Sequence, residues 1–335
     1  MTLDQRIHAF YHLGNHLEKL SEESFELIAE SARLENPWFT KENVRRSLKG
    51  VTTYLREDKL KQWTSRYSLQ IAPKKTIALV MAGNIPLVGF HDLLCVLISG
   101  NRAQIKLSSK DSKLIHHLVN LLGGINPAFL NQIEFKEKLE GFDAIIATGS
   151  DNSARYFEYY FGKYPNIIRK NRTSCAILAG GESDEDIENL GADVFSYFGL
   201  GCRNVSKLYV PNDYDFISLL SRLDSYKEVI HHHKYCNNYD YQKSILLVNG
   251  IPHLDNGFLL LQENERMVSP ISVLYYEPYS SDADLAGKLK ANAEKIQCVV
   301  GKSKPATIKF GQAQYPEVWD YADQVDTLKF LSELK

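Results

Sequence analysis

The sequence has little excess of either charge, no long hydrophobic run and few cysteines. Its net charge of -2 over 335 residues gives no reason to expect nucleic acid or an anionic membrane as the main partner. No apolar run reaches the about 18 residues of a membrane span, and the first residues lack the pattern of a signal peptide. We therefore expect a cytoplasmic protein without an integral membrane segment.

The five cysteines are odd in number and form no CxxC pair, which argues against a disulfide framework and a zinc site. His231, His232 and His233 are adjacent, and three successive side chains cannot converge on one point of a helix or strand. Zinc requires converging ligands, so no metal site is predicted. The GxGxxG fingerprint of many dinucleotide-binding domains is also missing.

The length and an ordinary 44% hydrophobic and 24% charged composition predict a globular protein of about two domains. Residues 1–70 are predicted to be helical. Thr40 is a plausible N-cap for a helix whose apolar residues recur every three or four positions. These residues are Val44, Leu48, Val51 and Leu55.

From Lys75 onward, a short apolar strand, a small-residue turn and a helix follow one another four times. The strand-and-turn parts read "TIALVMAGNIP", "AQIKLSSKD", "DAIIATGSD" and "SCAILAGGES". This alternation predicts parallel strands in a doubly wound α/β sheet. The later runs "KLYVP", "SILLVNG" and "ISVLYYE" predict strands of a second α/β unit, and "TIKF" a last strand.

The expected organisation has four parts. It comprises a helical N-terminal segment (1–70), a dinucleotide-binding domain (71–183), a catalytic domain (184–300) and a C-terminal strand and helix that return to the body (301–335).

Four turns follow the four predicted strands: Gly83-Asn84, Ser108-Ser109, Gly149-Ser150 and Gly180-Gly181. Backbone N–H groups at such helix N-termini attract phosphate, so turns at one sheet edge favour a dinucleotide site. Each turn taken alone is also explained by the preference of Gly, Ser and Asn for tight turns. The side-chain amide of Asn84 is suited either to donate a hydrogen bond to an oxyanion or to hydrogen-bond its own backbone in the turn.

Cys202 stands out in "GLGCRNVSKLYV" because it has small neighbours, an adjacent Arg203 and a strand just beyond it. A cationic neighbour favours the thiolate. Cys95, Cys175 and Cys298 lie in apolar runs, and Cys236 lies in a polar stretch. Cys202 is therefore the candidate nucleophile, although a free cysteine also packs as a small hydrophobe.

Six motifs occur in the order found in aldehyde-dehydrogenase-like proteins: "MAGNIP", "IKLSSKD", "IATGSD", "ILAGGES", "GLGCRNVSKLYVP" and "ENERMVSPISVLYYE". They most resemble the acyl-CoA reductase (LuxC-type) branch of the aldehyde dehydrogenase superfamily, over about residues 75–335. The resemblance implies an aldehyde-dehydrogenase-like fold with a doubly wound cofactor domain, a second α/β catalytic domain and a homo-oligomeric assembly.

The resemblance also implies roles for individual residues. Cys202 matches the nucleophile, and Asn84 matches the side chain that forms an oxyanion hole with the Cys202 amide. The residues that match cofactor contacts are Lys106 and Ser108 (adenosine ribose), Gly149 and Ser150 (pyrophosphate), Gly180 and Gly181 (nicotinamide) and Glu265 (ribose). The match of Glu265 is offset in spacing.

Leu178 occupies the place of the glutamate that activates the deacylating water in hydrolytic aldehyde dehydrogenases. General bases contribute about 10²- to 10⁴-fold, so a thioester on Cys202 should resist hydrolysis. The expected reaction is reduction of an acyl-CoA, or of an acyl-protein thioester, to an aldehyde. NADPH is the expected cofactor, with NADH as the alternative, because no acid follows the second strand to bind both ribose hydroxyls. Alternatives are an aldehyde dehydrogenase, an acyltransferase using Cys202, and an inactive family member serving as a complex subunit.

Overall fold

The chain is divided into two units by its internal contacts. The computed structural model describes residues 1–69 and 74–334. One unit is Met1–Asn171 together with Pro316–Lys335, and the other is Arg172–Tyr315. The predicted boundary at 70/71 lies outside the described residues.

The N-terminal segment is helical, as predicted. Its helices are α1 (Leu3–Glu18), α2 (Glu22–Glu35), α3 (Lys41–Tyr54) and α4 (Glu57–Thr64). The Thr40 hydroxyl accepts from the Asn43 N–H at 3.3 Å and so caps α3. The four apolar residues predicted for one face of this helix are all buried.

The first unit contains a parallel five-stranded sheet in the order β3-β2-β1-β4-β5. Its strands are β1 (Thr76–Val80), β2 (Arg102–Lys106), β3 (Ile133–Phe135), β4 (Ala144–Thr148) and β5 (Asn166–Arg169). The helices that follow β1, β2 and β4 are α5 (Phe90–Ile98), α6 (Lys113–Ile125) and α7 (Asp151–Phe161). The predicted doubly wound sheet is confirmed.

The strand order reverses between β1 and β4, because β2 and β3 extend to one side of β1 while β4 and β5 extend to the other. Ligands of doubly wound sheets bind beyond the carboxyl ends of the strands at such a switch point. The turns after β1 and β4 are those of Gly83-Asn84 and Gly149-Ser150, so both lie at this point.

The second unit contains a six-stranded sheet in the order β11-β6-β7-β10-β9-β8. Its strands are β6 (Thr173–Ile177), β7 (Val205–Pro211), β8 (Leu254–Asp255), β9 (Leu260–Glu263), β10 (Val273–Tyr279) and β11 (Ile296–Val300). All pairs are parallel except β8 with β9. The helices are α8 (Asp184–Phe195), α9 (Phe216–Arg222), α10 (His233–Val248) and α11 (Asp282–Ala291), and α12 (Thr327–Ser332) belongs to the first unit.

Three parts of the sequence interpretation differ from the structure. The fourth strand, β6, pairs with β7 and β11 rather than extending the first sheet. The second unit therefore begins at Arg172, earlier than the predicted 184. The run "SILLVNG" continues α10 instead of forming a strand, and "TIKF" makes only one bridge, between Ile308 and Val300.

Among the helices of the described residues, none is long and apolar enough to cross a membrane.

Candidate functional site

The turns after β1 and β2 touch each other. A Cβ at Gly83 would lie 2.5 Å from the Ser108 Oγ, well inside van der Waals contact. Only glycine fits, and the absence of a side chain lets the Asn84 turn pack on the Ser108 turn. The structure thus brings together two of the predicted strand-end turns, with the Asn84 side chain exposed.

The Asn84 turn ends in an unusual backbone conformation. Leu87 has a left-handed φ of +59°, which is rare for a bulky side chain. The Leu87 N–H donates to Asp111 Oδ2 at 2.7 Å. Asp111 is 2% exposed, and burial raises the pKa of its carboxyl to about 8. The Asp111 carboxyl is thus part of the scaffold of this turn.

Lys106 is the last residue of β2. Its Nζ donates to the Glu137 carbonyl at 2.7 Å, and its side chain is exposed. Ser108 Oγ accepts from the Lys110 N–H at 3.2 Å. Both residues therefore present polar groups at the carboxyl end of β2.

Gly149 and Ser150 form the junction between β4 and α7. Ser150 is the N-cap of α7, and its Oγ accepts from the Ser153 N–H at 3.2 Å. A Cβ at Gly149 would lie 2.8 Å from the Ser153 Cβ, so glycine is needed where the strand meets the helix. The junction leaves first-turn N–H groups of α7 at the switch point, an arrangement suited to an anion.

Cys202 lies half-buried on a tight turn between α8 and β7. Asn204, which is 1% exposed, holds this turn. Its Oδ1 accepts from the Gly201 N–H at 2.8 Å. Its Nδ2 donates to three carbonyls of the preceding segment, those of Asp193, Val194 and Ser196.

The Cys202 carbonyl is fixed as well, since Ser174 Oγ of β6 donates to it at 3.1 Å. Three successive residues before the turn, Tyr197, Phe198 and Gly199, have positive φ values of 52°, 57° and 77°. Left-handed tyrosine and phenylalanine carry backbone strain that the surrounding contacts must support. Such strain is concentrated at functional sites, which makes this turn the best-defined candidate in the second unit.

The other cysteines are less suited to nucleophilic chemistry. Cys95, Cys175 and Cys298 are buried. Burial raises the pKa of the Cys95 thiol well above its usual value and that of Cys175 to about 12. Cys236 is half-buried, and desolvation together with the nearby Asp240 carboxylate raises its pKa too. A raised pKa favours the thiol form of Cys95, Cys175 and Cys236, and thiols are poor nucleophiles.

Gly180 and Gly181 follow β6, so they belong to a different sheet from Lys106 and Ser108. Gly180 has φ +87° and Gly181 is exposed. The Glu182 carboxylate, which we did not single out from the sequence, accepts from the N–H groups of Ala179 at 2.6 Å and Gly180 at 3.2 Å. In the sequence, the sign of this contact is that Glu182 directly follows the glycine pair, where a carboxylate can accept from the N–H groups of the turn.

Leu178 is fully buried in the apolar core of the second unit. Its side chain therefore faces hydrophobic neighbours and offers no polar group to a substrate.

Glu265 is exposed on the segment between β9 and β10. This segment is fixed by Lys207 of β7, a fully buried lysine that the sequence interpretation did not single out. Lys207 Nζ donates to the Asn264 carbonyl and pairs with Glu277 at 2.6 Å. A lysine five residues after Cys202, within an apolar strand, was the only sequence signal for this contact.

The adjacent histidines 231–233 do not form a cluster of ligands. The His232 ring lies 4.4 Å from the Phe198 ring, and His231 faces Glu228. Throughout the described parts of the chain, no group of three or more His, Cys, Asp or Glu side chains is arranged to hold a metal ion.

Comparison with known proteins gives one family and one fold. The family model described as acyl-CoA reductase (LuxC) matches residues 11–215, more than half of the chain. No curated protein sequence matches significantly.

The solved structures most similar in fold include aldehyde dehydrogenase 21 from Physcomitrella patens in complex with succinate. It has 13% identity and a TM-score of 0.68, over 99% of this chain and 84% of that chain. An NADP-dependent enzyme from E. coli has 12% identity and a TM-score of 0.66, over 91% and 74%. The NADP-dependent glyceraldehyde-3-phosphate dehydrogenase of Bacillus halodurans, complexed with NADP, has 14% identity and a TM-score of 0.63, over 91% and 75%. The predicted aldehyde-dehydrogenase-like fold is confirmed.

Proposed function

Since the chain belongs to the acyl-CoA reductase (LuxC) family, we propose that it reduces an acyl-CoA to an aldehyde through a thioester on Cys202. Family membership supports an oxidoreductase that acts on acyl-CoA or aldehyde groups. The substrate, the intermediate and the cofactor preference are the parts that we propose.

The observation that carries the proposal is the Cys202 turn. Asn204 and Ser174 hold its backbone from two sides, while the cysteine itself stays half-buried rather than fully enclosed. A nucleophile needs a fixed position and an open approach. In the proposed first step, the Cys202 thiolate attacks the thioester carbonyl, and the CoA thiolate leaves as the acyl-enzyme forms.

Asn84 is the proposed donor to the oxyanion that develops on the attacked carbonyl, and the resemblance supports this role. Its exposed side chain follows β1 in a turn whose backbone is tightly held. Removing one donor of this kind costs about 10²- to 10³-fold in rate.

The environment of Leu178 favours reduction over hydrolysis. The position at which hydrolytic relatives carry the base that activates water is a leucine in this chain, and its side chain is fully buried. The nearby Glu182 carboxylate is occupied by the N–H groups of Ala179 and Gly180. The acyl-enzyme should therefore persist long enough to be reduced. Cleavage of its C–S bond then releases the aldehyde and returns Cys202 to the thiolate.

The first unit fits a dinucleotide. Its switch point carries the N-terminus of α7 with Ser150 as N-cap, and the neighbouring β2 ends in Lys106. When bound, a reduced nicotinamide cofactor supplies the hydride. We propose that Lys106 and Ser108 contact the adenosine ribose and that Gly149 and Ser150 contact the pyrophosphate. Gly180 and Gly181 are proposed to contact the nicotinamide, and Glu265 is proposed to contact a ribose.

We propose NADPH as the preferred cofactor. The end of β2 presents the Lys106 ammonium and Ser108 without an acid before the turn, which suits a 2′-phosphate. The matched test compares NADPH with NADH in the wild type and in Lys106→Met, whose preference for NADPH should fall.

The test of the reaction is cofactor oxidation with acyl-CoAs of several chain lengths, with the aldehyde trapped and identified. Wild type and Cys236→Ser should both produce aldehyde, and Cys202→Ala should produce none. Cys236→Ser is the matched control because that thiol is the other half-buried one. Acid or a transferred acyl group in place of aldehyde would replace the proposal with a dehydrogenase or an acyltransferase.

A further inference from the structure

The N-terminal helices contact the backbone of the Asn84 turn directly. Asn36, at the C-terminal end of α2, donates from Nδ2 to the Gly83 carbonyl at 3.2 Å. Ser47 of α3 donates from Oγ to the Pro86 carbonyl at 2.6 Å. The contacts lie immediately before and two residues after Asn84.

Both side chains are enclosed, with Asn36 4% and Ser47 8% exposed. Buried polar groups that lose their partner cost about 1–3 kcal/mol, so these contacts define where the turn sits. Asn36 is itself oriented, because its Oδ1 accepts from the Trp38 N–H at 3.2 Å.

The end of α2 is also anchored beside the turn. The Glu35 carboxylate accepts from the N–H groups of Ser112 at 2.9 Å and Lys113 at 3.1 Å at the start of α6. An acid at a helix N-terminus is stabilised by the helix dipole. These contacts hold the end of α2 in place, and with it the Asn36 side chain next to the Gly83 carbonyl.

The held segment is strained where it leaves the turn. Leu87 adopts its left-handed φ of +59° with its N–H bonded to Asp111. A left-handed bulky residue persists only where the surroundings over-determine it. Asn36 and Ser47 from the N-terminal helices, and Asp111 from the body, provide three such constraints within five residues.

We infer that Asn36 and Ser47 are positioning residues, which hold the Asn84 amide in the geometry that the acylation step needs. The inference rests on the proposed role of Asn84 in the acyl-CoA reaction. It gives the N-terminal helices a function in the chemistry.

The test measures acylation of Cys202 in single turnover without cofactor, by rapid quench and intact-mass analysis with an acyl-CoA. Ser47→Ala and Asn36→Ala should each slow acylation about 10-fold, since a displacement of about 1 Å costs up to 10² in rate. The KM for acyl-CoA should change less than twofold.

Thr52→Val is the matched control. Thr52 lies on α3, as Ser47 does, and both residues are 8% exposed. The Thr52 hydroxyl donates to the Lys49 carbonyl of its own helix at 2.9 Å rather than to the Asn84 turn. Thr52→Val should acylate at the wild-type rate, while its melting temperature falls about as far as that of Ser47→Ala.

The double variant Ser47→Ala/Asn84→Ala decides whether the effect runs through Asn84. The inference expects the double variant to acylate as slowly as Asn84→Ala alone. A further drop in the double variant, or a wild-type rate for Ser47→Ala, would overturn the inference. If Asn84→Ala itself acylated normally, the proposed role of Asn84 would fail and the inference with it. No acylation of the wild type would instead contradict the proposed function.

Discussion

The Ser174 hydroxyl of β6 donates to the Cys202 carbonyl at 3.1 Å, and the same Oγ lies 3.0 Å from the Cys298 sulfur. One buried serine thus connects the candidate nucleophile to a neighbouring strand and to a second thiol. Cys298 is buried, while Cys202 is half-buried. The two thiols should therefore differ sharply in reactivity.

We expect alkylation of the native protein by iodoacetamide to label Cys202 first. Cys236 should follow more slowly, because desolvation and the Asp240 carboxylate raise its pKa. The buried Cys95, Cys175 and Cys298 should react only after unfolding. Peptide mass mapping over time gives the order.

Cys236→Ser should keep the fast labelling phase and Cys202→Ser should lose it. Fast labelling of Cys298 would contradict the enclosed environment described for that thiol.

Asn204→Ala should lower the free energy of unfolding by about 2 kcal/mol or more, since it leaves buried donors and acceptors without partners. The side-chain amide of Asn204 accepts from the Gly201 N–H and donates to three carbonyls. Asn249→Ala is the control, because that exposed amide makes one bond to the carbonyl of Ile245. Urea unfolding should show less than about 0.5 kcal/mol for the control. Equal effects would mean that the Cys202 turn does not depend on Asn204.

Gly180→Ala should destabilise the protein by about 1–2 kcal/mol, because an alanine must adopt the left-handed φ of +87° there. Gly181→Ala is the matched neighbour, where an added Cβ meets no atom within 4 Å and φ is not left-handed. Thermal unfolding should therefore separate the two variants. Comparable melting temperatures would show that the turn relaxes around position 180.

Asp111→Asn should make the protein more stable at high pH. The pKa of the folded-state carboxyl is about 8, against about 4 for an unfolded aspartate. Between these values the folded state holds a proton that the unfolded state has released, so the free energy of unfolding falls as pH rises from 4 to 8. Asparagine keeps an acceptor for the Leu87 N–H and removes the ionisation.

The gain from Asp111→Asn should grow by about 4 kcal/mol from pH 5 to pH 8, as measured by urea unfolding at pH 5, 7 and 9. Asp193, whose pKa burial raises to about 7, keeps part of the pH dependence in the variant. Parallel curves for variant and wild type would show that Asp111 ionises in the folded state as it does in the unfolded state.

The sequence by itself determined the elements that depend on local pattern. The 3.6-residue spacing of apolar side chains and the Thr40 cap specified α3, and the apolar runs ending in small residues specified β1, β2, β4 and β6. The small-residue surroundings of Cys202 also identified the candidate nucleophile, because flanking glycines are a local property.

Tertiary structure decided what depends on pairing between distant residues. The sheet to which β6 belongs follows from its partners β7 and β11, which lie far away in the chain. The run "SILLVNG" is apolar enough for a strand, yet it continues the helix that starts at His233. Short apolar runs do not distinguish these states.

The supports of the candidate site were also beyond the sequence. Ser47 and Pro86 are 39 residues apart, Asn36 and Gly83 are 47 apart, and Lys207 and Glu277 are 70 apart. The donors Ser47, Asn36 and Lys207 each resemble an ordinary polar side chain in the sequence, and two of the acceptors are backbone carbonyls. Only the folded chain puts a buried donor against one particular acceptor, and the cost of leaving either unpaired makes that contact specific.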